Sequence, residues 1–63
     1  MDNVQSNEAK SNAVEIVEAC GEWFVHVVEH GKETSTSFEL EAFALAYAEG
    51  QRIRLGLDKV VRV

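Results

Sequence analysis

Proline is absent from this 63-residue chain, and cysteine occurs once, at Cys20. A single thiol excludes an internal disulfide, and with no secretory leader in view it fits a reducing compartment. The longest uninterrupted apolar run, Ala42–Ala48, is far shorter than the roughly 20 residues a membrane-spanning helix requires. The N-terminal stretch MDNVQSNEAKSN has neither a basic start nor an apolar core, so it does not read as a signal peptide. A cytoplasmic protein with no membrane association is the expectation. A chain of this size buries only about 60 % of its unfolded surface. With no disulfide to staple it, oligomerisation is the stabilising device to expect.

Positive charge is also scarce. Residues 1–50 hold ten carboxylates against Lys10 and Lys32, a balance of −8, whereas residues 51–63 carry Arg52, Arg54, Lys59 and Arg62 against Asp58, a balance of +3. An acidic chain repels phosphate backbones, which weighs against nucleic acid as a partner. The basic patch Arg52, Arg54, Lys59 and Arg62 leaves a nucleic-acid-associated regulator as the rival reading.

What is present is a clear succession of elements. Residues 1–12 are polar without periodicity and read as a disordered tail, followed by one domain over 13–63. Gly21 and Gly31 each separate runs rich in β-branched and aromatic residues, the signature of short hairpin turns. With Cys20-Gly21 and His30-Gly31 as two-residue turns, Ile16 faces Val25, Val25 faces Thr36, and Trp23 faces Phe38. Alternation then sorts the side chains. Val14, Ile16, Trp23, Val25, Val27 and Phe38 share a core face. Ala13, Glu15, Val17, Phe24, His26, Val28, Ser35 and Ser37 share the other.

After Phe38 the period lengthens, and Leu40–Leu55 reads as one helix stopped by Gly56. Ser37 is the expected N-cap, with Glu39 the alternative. Ala42, Ala46 and Gly50 recur every four residues and are expected to bring the helix close to the sheet, with Phe43, Ile53 and Leu57 filling the edges. Lys59–Val63 reads as a final strand, parallel to the first after a right-handed crossover. The fold class is α+β, in the order β-β-β-α-β: a three- to four-stranded, mostly antiparallel sheet with one helix on one face.

The strand Trp23-Phe24-Val25, the Ser37-Phe38 pair and the helix spaced by Ala42 and Ala46 together resemble the small bacterial β-β-β-α domains of unknown function. The resemblance spans residues 13–63. It implies this fold and carries no catalytic residues.

Candidate chemistry is sparse. His26 and His30 lie four apart, about 13 Å on a strand at ~3.3 Å per residue, too far to share an ion unless the turn folds His30 back. Glu15 faces His26 as an ordinary cross-strand pair. Cys20 occupies a turn with no histidine in register, and Ser35 and Ser37 approach His26 without a pocket or oxyanion site. No enzyme activity, metal or cofactor is expected. Val17, Phe24 and Val28 form an apolar cluster on the face the helix does not cover, with His26 and Glu15 at its rim. A contiguous patch of this kind marks an interaction surface. The expected role is a non-enzymatic module that forms a homodimer or binds a protein partner through Val17, Phe24, His26 and Val28.

Overall fold

A computed structural model describes residues 11–63. The elements run β1 (Ala13–Ala19), β2 (Glu22–Glu29), β3 (Lys32–Phe38), α1 (Glu41–Leu55) and β4 (Val61–Arg62), in a four-stranded sheet of order β3-β2-β1-β4. This is the expected α+β architecture. The tail expected at residues 1–12 falls mostly outside the described residues. Asn12 is within them, and its Oδ1 accepts a hydrogen bond from the His30 backbone N–H at 2.9 Å.

Both hairpins turn on residue pairs with positive φ, Cys20 (52°) with Gly21 (83°) and His30 (52°) with Gly31 (80°). Two left-handed residues in succession make a type I′ turn, whose twist matches that of the flanking strands. Glycine suits the second position of each because an L side chain there is strained. The short turns lock the register: Ala19 opposes Glu22 and Ile16 opposes Val25 in the first hairpin, while Glu29 opposes Lys32 and Trp23 opposes Phe38 in the second. Every strand residue therefore falls on the side that alternation assigns.

On the covered side Val14, Ile16 and Val25 are at most 1 % exposed, and Val27 only 5 %. Burying a side chain of this size contributes about 1.5–3 kcal/mol. Trp23, Phe38, Leu45, Tyr47, Leu55, Leu57 and Val60 pack around this centre. Phe38 and Tyr47 meet with ring centroids 5.4 Å apart and planes tilted by 45°.

The helix departs from the expected arrangement in two respects. Its N-cap is Leu40, in extended backbone and without a side-chain cap, rather than Ser37 or Glu39. The reason is strand register: Ser37 pairs with Phe24 and Phe38 with Trp23, so β3 continues too far for Ser37 to reach the helix. The second departure concerns rotation. Ala44 and Ala48, both fully buried, face the sheet, whereas Ala42, Ala46 and Gly50 point outward. A Cβ built on Gly50 meets nothing within 4 Å, so close approach does not explain this glycine. Phe43 and Ile53 are 61 % and 65 % exposed and fill no edge, although Leu57 does pack on the core. Two alanine stripes exist on this helix. The larger neighbours Leu45, Tyr47 and Leu55, which pack against the core beside Ala44 and Ala48, decide between them.

Gly56 ends the helix in the left-handed conformation (φ 69°), with its N–H donating to Ile53 and that of Leu57 to Arg52. These two bonds satisfy terminal carbonyls of the helix. The chain then returns so that β4 pairs parallel with β1, Val61 opposite Glu15 and Arg62 opposite Ile16. The strand is two residues long, shorter than the expected Lys59–Val63. One further bond, Val63 N–H to the Ile16 carbonyl at 2.9 Å, extends the contact.

Candidate functional site: the open face of the sheet

The helix covers one side of the sheet, and among the described residues no element covers the other. Cross-strand pairing arranges that open side in successive rows. Ala13, Val28 and Glu33 form the first, and Glu15, His26 and Ser35 the second, with Val61 beside Glu15; Ala19 and Glu22 close the face at the first turn. Val17, Phe24 and Ser37 form the third, which Val63, the residue after β4, joins because alternation carries it to the same side as Val61. Val17, Phe24, His26 and Val28 are thus all on the open face, as expected.

Their arrangement differs from the expectation in one respect. The Glu15–His26 pair lies between the two apolar rows, where Val17 and Phe24 are direct neighbours and Val28 stands on the far side of His26. It is not at the rim. Two residues per step along β2 make this unavoidable, since Phe24, His26 and Val28 are successive positions on one face. Across β1 and β2 the face therefore carries a polar pair between apolar ones, while β3 contributes Glu33, Ser35 and Ser37 along the same side.

Sequence reasoning missed Val61 and Val63, which are 40 % and 76 % exposed. Alternation within KVVRV holds the signal, but its sign depends on the parallel register of a strand too short to announce itself. The outer side of the helix was missed as well: Leu40, Phe43 and Ile53 are all more than half exposed there.

The basic residues are divided. Arg54 makes a two-pronged pair with Glu29, its Nη1 and Nη2 donating to the two carboxylate oxygens at 3.2 and 3.0 Å. These hydrogen bonds hold the Glu29 carboxyl below its ordinary range and raise the Arg54 guanidinium. Arg52 bonds Glu49 at 2.9 Å and the Leu57 carbonyl at 2.9 Å. Arg62 donates to Glu41 at 2.9 Å, with its guanidinium carbon 5.9 Å from the centroid of the Trp23 ring. Arg52, Lys59 and Arg62 line one groove of about 520 Å³, shared with Glu49 and Asp58. Arg54 lines another of about 610 Å³, alongside Val27, Thr34, Tyr47 and Gln51. A phosphate would have to displace carboxylates from three of the four cations.

His26 lies on the open face of β2 and His30 in the second turn. Cys20 is an exposed free thiol in the first turn. Among the described residues no cluster of three or more His, Cys, Asp and Glu side chains could hold a metal ion. Nor is any helix among them long and apolar enough to cross a membrane. No family model, curated protein or solved structure matches the chain.

Proposed function

We propose that this protein is a non-enzymatic interaction module that presents the open face of its sheet to a protein surface, whether a second copy of the chain or another protein. The observation that carries this reading is the row Val63–Val17–Phe24, which runs from the residue after β4 across β1 and β2 on a side that no element covers among the described residues. Apolar groups aligned across strands in a small domain gain most by being covered. The Glu15–His26 pair between the rows supplies donors and acceptors that fix orientation, a role polar groups serve within apolar contacts. Pairing of Arg52, Arg54 and Arg62 with carboxylates weighs against the alternative of a nucleic-acid-associated regulator.

The test is Phe24→Glu. Phe24 lies on the uncovered side, so the variant retains its fold by circular dichroism and loses association through this face. Light scattering over a dilution series reads the self-association arm, and cross-linking in cell extract reads the arm of another protein. Unchanged mass together with an unchanged cross-linking pattern would refute the reading.

A further inference from the structure

The two edges of the sheet are unlike. On one side β4 is two residues long and carries Arg62 toward the helix. On the other, β3 is seven residues long, pairs with β2 in unbroken register, and has no neighbour beyond it among the described residues. Sheet edges are commonly protected by bulges, prolines, inward charges or brevity. β3 has no proline or bulge, and its charges, Lys32 and Glu33, are confined to one end. Its centre, Thr34-Ser35-Thr36-Ser37, is small and hydroxylated.

Which backbone groups are left over follows from the turn. A two-residue hairpin closes on a hydrogen-bonded pair, here Glu29 with Lys32, and such pairs recur at every second residue. The amides of Lys32, Thr34, Thr36 and Phe38 therefore point toward β2. Those of Glu33, Ser35 and Ser37 point away from the sheet. Ser35 stands midway between the other two.

We infer that β3 pairs with β3 of a second copy of this chain, antiparallel, about a two-fold axis through Ser35. In that register Ser35 opposes its own mate and Glu33 opposes Ser37, so the outward N–H and C=O groups of all three residues find partners together. Sliding the strands by two residues leaves some of them without partners. Thr34 opposes Thr36, a favourable pair of β-branched hydroxyl side chains. Lys32 opposes Phe38, and no like charges stand directly across from each other. A two-fold axis perpendicular to the sheet keeps both helices on one side. The two open faces then join as one face of an eight-stranded sheet. This contact uses a different surface from the one in the proposed function, and either can hold without the other.

The experiment is done in the Phe24→Glu background, where association through the open face is removed. Light scattering then gives twice the 7.0 kDa chain mass. Adding Ser35→Pro returns the monomer, because it deletes an outward N–H while the bonds to β2 remain, the situation in which an edge strand tolerates proline. A Phe24→Glu monomer would overturn edge pairing, and if the parent were still a dimer the open face would account for it. A folded Phe24→Glu/Ser35→Pro dimer would overturn it equally. Should the proline variant not fold, cross-linking decides. With Cys20→Ser in place, Ser35→Cys oxidises to an intermolecular disulfide under a glutathione buffer, since facing Cα atoms ~5.5 Å apart lie within disulfide reach. Thr36→Cys does not, its mate being about 8 Å away. Absence of the cross-link in the Ser35→Cys variant, or equal cross-linking in the Thr36→Cys variant, would refute the register.

Discussion

Ile16 and Val17 are neighbours in sequence and similar in chemistry, yet one lies at 1 % exposure beneath the helix while the other lies on the open side. The whole sheet repeats that contrast. Its covered side is built from aliphatic centres ringed by aromatic groups. Its open side alternates apolar rows with Glu15, His26 and Ser35. A face that serves only the fold can be apolar throughout. A face open to water keeps polar groups among its apolar ones, which limits indiscriminate association.

The contrast is broken most severely at the core. Ile16→Ala should cost about 2–5 kcal/mol by urea unfolding, from lost transfer energy and the cavity left behind. Val17→Ala on the same strand should cost less than half as much, and equal losses would mean that the open side is also a core. The helix sharpens the comparison next. Ala48→Leu forces extra volume against the sheet and should destabilise by about 1–3 kcal/mol. Ala46→Leu points outward and should leave the urea midpoint nearly unchanged, so a large shift there would place the helix in the other rotation. The smallest effect belongs to the Arg54–Glu29 pair at the sheet's end. Glu29 ionises below its ordinary value of 4.5, so the pair's contribution is complete above that pH and lost as pH falls through the lowered value. Glu29→Gln should thus lower the thermal midpoint slightly at neutral pH, with the gap closing in acid. A gap of the same size at both ends would show that charge is not its source.

Strand order, pairing and the sorting of faces were legible because two glycine-marked turns propagate their register along every residue of three strands. Gly21 and Gly31 are strong local signals, and period-two alternation admits no intermediate answer. Helix rotation was not legible in the same way. Ala42/Ala46/Gly50 and Ala44/Ala48 offer nearly equal small-residue stripes, and the choice rests on where Tyr47 meets Phe38, a contact made across the fold. The cap failed for a related reason, since Ser37 has good local chemistry but is held in β3 by pairing with Phe24. On the candidate face, Val17, Phe24, His26 and Val28 were assigned to the correct side, while their order in rows and the addition of Val61 and Val63 required the parallel partner strand.

Trp23 is the chain's only tryptophan, and the Arg62 guanidinium stands over its ring. Both hairpins that contain it are made from local contacts, with Glu18 and Phe38 as its cross-strand neighbours, whereas Arg62 reaches it only through the helix and the crossing back to β1. Closing that long loop is the slow kind of step in a small domain. Trp23 thus has two layers of environment, a local one set by its hairpin neighbours and a distant one that Arg62 adds when the first and final strands meet, and comparing its emission with that of an Arg62→Ala variant reads the second alone.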